Sequence, residues 1–202
     1  ADASKRILEL IGTDVITSVV KRIRDVDISA GGEIILPPIV LEILRKTKEE
    51  SITIETDENG ALGLSFGSAR YLLVTKPVSE FPKSELVFPT AYVSVSGLLP
   101  LLKHAAFAAE TEGDKRELQG LTLRLTPGIS TAEAMNQKRM ASAVNRNAAD
   151  GEIEMKLHIS AVNILFSLLS ADKTVYAGTA DQRAVFVCGD TVFSTVMMNK
   201  AG

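Results

Sequence analysis

The sequence predicts an α+β chain built from a repeated unit of strand, helix and three strands in meander, with the helices on one face of antiparallel sheets. Three observations carry this. Gly32-Glu33-Ile34 opens a stretch whose order of elements returns from Gly151-Glu152-Ile153, 119 residues on, and the later pairs Leu64/Phe186, Gly67/Gly189 and Tyr71/Phe193 keep an offset of 122. Self-similarity at a near-constant spacing marks a repeated supersecondary unit. Within each copy the apolar period changes, from helical spacing at Val40, Leu41, Ile43 and Leu44 to alternation over 62–66. Finally, 202 residues at 46% hydrophobic and 23% charged suffice for one large or two modest cores, and no apolar run approaches the ~20 residues of a membrane span.

The elements follow in order. Ile7–Leu10 alternates as a strand, Gly12-Thr13-Asp14 supplies a turn, and Val15–Ile23 reads as the next strand. Helix competes over Thr17–Arg24, and β-branching decides for strand. Glu33–Leu36 is a strand that Pro37-Pro38 ends. The same prolines suit a helix entrance, and the helix runs over Ile39–Lys48. Its apolar stripe is 40, 41, 43 and 44, with Thr47 marginal, and Glu42, Arg45, Lys46, Glu49 and Glu50 form the other face. Strands at Ser51–Glu55, Leu62–Phe66 and Tyr71–Val74 follow, with turns at 57–60 and Gly67-Ser68.

Two prolines in Lys76–Ser84 mark a boundary. It divides the chain into a partial domain over 1–80, whose first strand and helix are absent, and a complete domain over 85–202. In the second, Leu86–Val95 is a strand interrupted at Pro89, and Ser96 is the expected N-cap of a helix over Gly97–Ala109. The buried stripe of that helix is Leu98, Leu101, Leu102, Ala105, Ala106 and Ala109. Thr111–Arg116 is a polar loop, and strands follow at Leu118–Leu125, Ser130–Met135 and Arg139–Val144. The last copy has its helix at Val162–Leu169 and strands at Thr174–Ala177, Ala184–Cys188 and Thr191–Val196.

Composition narrows the function classes. Ala1–Arg6 is polar with no signal-peptide pattern, so a cytoplasmic location is expected. The one cysteine, Cys188, cannot form an intramolecular disulfide, which fits a reducing compartment, and its place in an alternating strand makes a buried, inert thiol the expectation rather than a nucleophile. A net charge of −3 argues against a wholly basic surface, although a local basic face can coexist with it. The lack of Trp and the 5% aromatic content argue against base-stacking platforms.

Several short stretches together resemble one family, the bacterial DNA polymerase III beta subunit, or beta sliding clamp. Ile7-Leu8-Glu9-Leu10 through Thr13-Asp14 is similar to its strand and Thr-Asp turn. Gly32-Glu33-Ile34-Ile35-Leu36-Pro37, with the helix ending Ile43-Leu44-Arg45-Lys46, is similar to the second half of its first domain, and Phe81-Pro82 matches the Phe-Pro before its second domain. Arg116-Glu117-Leu118-Gln119-Gly120 resembles its Arg-x-x-Leu-Asn-Gly stretch, with Gln for Asn and the Arg displaced. Ala134-Met135-Asn136-Gln137-Lys138-Arg139-Met140-Ala141 stands where the family has Ala-Thr-Asp-Gly-His-Arg-Leu-Ala, sharing the alanines and the arginine.

The resemblance implies a DNA-clamp fold and a processivity factor that tethers polymerase to duplex DNA. It covers essentially the whole chain but only about the first two-thirds of the family's three-domain architecture. The family's subunit interface joins domains one and three, and its partner-peptide cleft lies between domains two and three. The chain is then either a fragment or a shortened relative that closes a ring of copies in another way, or closes none.

A clamp needs cations that attract phosphates without reading bases. The candidates are Arg45, Lys46 and Lys48 on the first helix, Lys103 on the second, and Lys115 and Arg116 in the loop after it. Ordinary solvated faces are the competing reading, since Glu42, Glu49, Glu50 and Glu110 dilute the charge and the helix at Val162–Leu169 has no basic residue. A clamp also needs a greasy wall for polymerase and clamp-loader peptides. Residues matching it are Leu118, Met135, Gln137, Lys138, Arg139 and Met140, and methionine suits varied peptides. Met135 and Met140 as half-buried strand residues is the alternative.

No catalytic chemistry is expected. His104 and His158 lack ligand neighbours at metal spacing, and there is no phosphate loop, nucleophile elbow or carboxylate cluster. Asp57–Gly60 lacks the later glutamate of a calcium loop. No cofactor or metal is expected. Two other classes stay open: a clamp-fold module that binds proteins and encircles no DNA, and an unrecognised enzyme on an α+β scaffold.

Overall fold

A computed structural model describes residues 1–57, 60–82, 87–146, 148–171 and 173–199. Parts of the turn expected over 57–60, of the 76–84 boundary and of the strand expected from Leu86 lie outside these residues. The chain forms two compact bodies, one of 1–6 with 27–83 and one of 7–26 with 84–202. No described helix is long and apolar enough to cross a membrane.

The second body contains β1 (Ile7–Thr13), β2 (Thr17–Arg24), β6 (Val93–Val95), α2 (Leu98–Ala106), β7 (Gly120–Leu125), β8 (Ile129–Met135), β9 (Met140–Arg146), β10 (Ile153–His158), α3 (Ile159–Leu168), β11 (Val175–Ala180), β12 (Arg183–Cys188) and β13 (Thr191–Val196). Both copies of the repeated unit are present, and they exchange their leading strands. One sheet has the order β10-β7-β8-β9, and the other β1-β2-β13-β12-β11-β6. All their ladders are antiparallel.

Burial of α2 and α3 against these sheets makes one large core. Leu98, Leu101, Leu102, Ala105, Ala106 and Ala109, the stripe expected from sequence, are all buried. They meet Leu121, Leu123 and Leu157 from one sheet and Phe186 and Phe193 from the other. The N-cap of α2 is Gly97 and not Ser96. Gly97 has φ +64, and a Cβ there would come within 2.7 Å of Asn145 Nδ2, so glycine is favoured at this position. Ser96 is held instead by its backbone, whose N–H donates to Ala148 O while its carbonyl accepts from Asn145 Nδ2.

The β1–β2 hairpin, which the sequence reading placed in the 1–80 domain, groups with this second body. The reason is its ladder to β13, Thr17↔Thr195 through Lys21↔Thr191. Thr17 Oγ1 and Thr195 Oγ1 share a buried hydrogen bond at 3.1 Å. Arg183 donates to Ile16 O at 2.9 Å and to Ser194 Oγ at 3.0 Å, tying the hairpin tip to β12 and β13.

The first body holds α1 (Ile39–Lys46) and one sheet, β3 (Thr53–Thr56), β4 (Leu62–Phe66) and β5 (Ala69–Leu73), in that order. Its core is small: Val40, Leu62 and Leu64 are buried, with Ile34, Leu36, Ile43, Leu44, Phe66 and Leu73 packed around them. Leu41, expected on the apolar stripe, is 58% exposed. The strand expected at Glu33–Leu36 does not form. Ile34 and Leu36 still turn toward the core, so the alternation is real, but among the described residues no neighbouring strand completes a ladder. Extended backbone becomes sheet only when another strand takes its hydrogen bonds.

Candidate functional site

In the first body, Glu42 stands in the first turn of α1 and Arg45 and Lys46 in its last. That order complements the helix dipole by itself. It also leaves two exposed cations beside one another on the final turn. Lys48, expected on the helix, lies beyond its end, because Thr47 is already extended at ψ 147 and caps the helix by donating to Ile43 O. Lys48 is exposed too.

In the second body, Lys103 leaves the outer side of α2 with its ammonium 5.9 Å from the centre of the Phe166 ring, a cation–π distance. Lys115 precedes a 3-10 turn over Arg116–Leu118, and both it and Arg116 are exposed. Neighbouring α3 has no charged residue in its span.

Pairing separates these six cations from others of the chain. Arg22, Arg24, Arg70 and Arg124 each contact a carboxylate within 3.2 Å. Among the described residues, Arg45, Lys46, Lys48, Lys103, Lys115 and Arg116 take part in no ion pair. An exposed unpaired cation keeps its full charge for a ligand, whereas a carboxylate neighbour cancels most of the field at a distance.

Five of the six residues proposed for peptide binding, Met135, Gln137, Lys138, Arg139 and Met140, gather at the tip of the β8–β9 hairpin. Met135 and Met140 face one another across the ladder, and they are 48% and 64% exposed. They are therefore surface groups rather than half-buried strand residues. Asn136 shapes the loop: its Oδ1 accepts from the N–H groups of Lys138 and Arg139, and its own N–H donates to Arg139 O. The Arg139 guanidinium lies 5.6 Å from the centre of the Phe107 ring. Gln137 and Lys138 are exposed, and Leu118 is half-buried just before β7.

Phe107, which sequence reasoning missed, thus joins this tip. It is 60% exposed just past α2, and the signal was available, because an aromatic at 107 falls off the stripe at 98, 101, 102, 105, 106 and 109. The set as a whole presents two thioethers, an aromatic ring and two cations, a surface suited to an extended apolar peptide with polar or acidic flanks.

Among the described residues, no group of three or more His, Cys, Asp or Glu side chains could hold a metal. His104 is exposed. His158 ends β10 and caps α3, its Nδ1 accepting from the Ser160 N–H at 3.2 Å. Cys188 is free, and it is half-buried rather than buried as its strand position suggested.

Comparison with known proteins agrees with the earlier resemblance. Residues 2–85 match the family model for the DNA polymerase III beta subunit, N-terminal domain. The beta sliding clamp of Synechococcus elongatus is 28% identical over 153 residues, covering 74% of this chain and 40% of that protein. Among solved structures, a putative DNA polymerase III beta subunit from Eubacterium rectale superposes with a TM-score of 0.87 at 18% identity, over 100% of this chain and 56% of that one. The sliding clamp of Pseudomonas aeruginosa gives 0.85 at 21% identity, over 98% and 56%. The chain thus spans well under two-thirds of the length of these relatives. The family model thus covers 2–85, and the solved clamps, at 18% and 21% identity, share the fold of the whole stretch that the chain spans.

Proposed function

We propose that this chain is a non-enzymatic clamp-type subunit that helps tether a DNA polymerase to duplex DNA in the cytoplasm. The observation that supports this reading best is the set of six exposed cations that take part in no ion pair among the described residues. Such cations bind by releasing counterions from phosphate and read no base, which is what a sliding contact requires. In this reading 1–80 and 85–202 are two clamp domains, with the β1–β2 hairpin of the first sequence segment lying in a sheet of the second body. The β8–β9 tip, with Leu118, Met135, Gln137, Lys138, Arg139 and Met140, is the wall that receives short peptides of polymerase and clamp-loader subunits.

A second reading is favoured by one observation, the absence of charge from α3. A surface selected only for duplex DNA would carry cations there, and a module that binds proteins alone would not need them. Fluorescence anisotropy with two labelled duplexes of unrelated sequence separates the readings. The DNA reading predicts equal affinity for both duplexes, falling steeply from about 50 to about 200 mM salt. No binding at low salt, with retained capture of apolar peptides at the β8–β9 tip, would establish the protein-binding module instead.

A further inference from the structure

Gln119 stands where the 111–116 loop, the 3-10 turn, α3 and β7 meet. Its backbone N–H donates to Arg116 O at 3.0 Å and closes the turn, and its carbonyl accepts from the Ile159 N–H at 2.8 Å, at the start of α3. The next residue opens β7, where Gly120 lies opposite His158. The backbone of Gln119 is thus tied to helix and sheet, while its half-buried side chain reaches the loop. Its Nε2 donates to Gly113 O at 2.9 Å. Among the described residues this is the one side-chain hydrogen bond made to residues 111–115.

The other end of the amide is fixed as well. Gln119 Oε1 lies 3.3 Å from His158 Nε2. At the far side of the ring the Ser160 N–H donates to Nδ1 at 3.2 Å, and Ser160 Oγ is 2.8 Å away. A backbone N–H can only donate, so Nδ1 carries no hydrogen and the ring hydrogen sits on Nε2, opposite Gln119 Oε1. With Oε1 accepting, Nε2 of Gln119 is the donor that Gly113 O needs. One consistent set of donors and acceptors therefore runs from Ser160 through the imidazole and the amide to the loop.

The content of the loop gives this hold its use. Lys115 and Arg116 are exposed among Glu112, Asp114 and Glu117, yet among the described residues neither cation takes part in an ion pair. A loop free to move would sample those carboxylates at short range, where opposite charges attract. We propose that Gln119, backed by His158, is a positioning residue of the phosphate surface. Its amide holds the 111–116 loop in one pose, with Lys115 and Arg116 free of their acidic neighbours and presented to a duplex backbone. The proposal rests on the reading of these two cations as phosphate contacts.

The test uses Gln119→Met, which keeps the length of the side chain and removes both of its hydrogen bonds. In the 202-residue parent, long-range proton–nitrogen spectra at neutral pH should show His158 as the Nε2–H tautomer. Backbone order parameters over 114–116 should be about 0.85 in the parent and below about 0.6 in Gln119→Met, with thermal melts alike. Duplex affinity should fall about three- to tenfold in the variant, the scale of one lost hydrogen bond. The slope of log K against log salt should stay unchanged, because no cation has been removed. In a background of Lys115→Ala with Arg116→Ala, whose slope is smaller by about 2, Gln119→Met should have no further effect. In a background of Arg45→Ala with Lys46→Ala its full effect should persist. An Nδ1–H ring in the parent overturns the proposal, and that result needs no variant. So does a loop as ordered in Gln119→Met as in the parent, or the same loss of affinity with Lys115 and Arg116 already gone. A loop that loosens as expected in a chain that binds no duplex would count against the proposed function alone.

Discussion

The two bodies of this chain use the same unit and reach very different degrees of burial. In 87–196 two units lend each other their leading strands, β6 to β11 and β10 to β7, and α2 and α3 share one core reaching from Leu98 to Phe193. Among the described residues of the first body there is one unit, with three fully buried apolar side chains and an extended segment, 33–36, that joins no ladder. The unit is therefore not the folding module. Its strand order leaves one strand to be received and one to be given, and a full core appears only when a second unit answers both.

That contrast can be broken most directly in the second core. Phe186 is 1% exposed, with its ring centre 6.1 Å from that of Phe193. Phe186→Ala should cost about 3–5 kcal/mol, read as a lowered midpoint in urea unfolding. A loss within the ~0.5 kcal/mol of an ordinary surface substitution would mean that the exchanged strands do not form one cooperative core.

In the first body Leu62→Ala removes one of the three buried anchors and should cost about 2–5 kcal/mol of that body's stability. Amide exchange should show β3, β4 and β5 losing protection while β7 and β8 keep theirs. Equal loss in both bodies would mean that they unfold as one unit.

The smallest effect is expected at Asp150, which ties the loop before β10 to β6. Its carboxylate accepts from the Ser94 hydroxyl at 2.8 Å and from the Ser94 N–H at 2.7 Å. The hydroxyl bond, followed by the backbone bond, holds the carboxyl below its ordinary value of 3.8. A depressed acid stabilises the fold above its unfolded pKa, and the contribution disappears as pH falls through the lower folded value. Parent and Asp150→Asn should therefore differ in melting temperature at neutral pH and converge below about pH 3.8. A difference that persists unchanged in acid would show that the carboxylate charge is not involved.

Much of this was legible in the sequence, and the exceptions share a cause. The α2 stripe was complete because helical burial repeats every few residues and needs no distant partner. The strands were found in order for the same local reason. The exchange of β6 and β10 was not legible, because pairing is decided by which distant strand is free. Glu33–Leu36 failed for that reason too: Ile34 and Leu36 alternate as a strand requires, and among the described residues no strand pairs with them. At the candidate sites, residue types gave the cations and the methionine tip. They could not show that Arg22 and Arg70 are neutralised by Glu9 and Glu55 while Arg45 and Lys46 are left unpaired. The Arg139–Phe107 contact likewise joins a hairpin tip to a helix end through space.

The central claim, that these cations hold duplex phosphate without reading sequence, is tested most directly by the slope of log K for duplex DNA against log salt. If all six contact phosphate the slope should approach about −5, and Arg45→Glu with Lys46→Glu should reduce it by about 2, equally on any sequence. A slope near zero, or a slope that the double charge reversal leaves unchanged, would contradict the account.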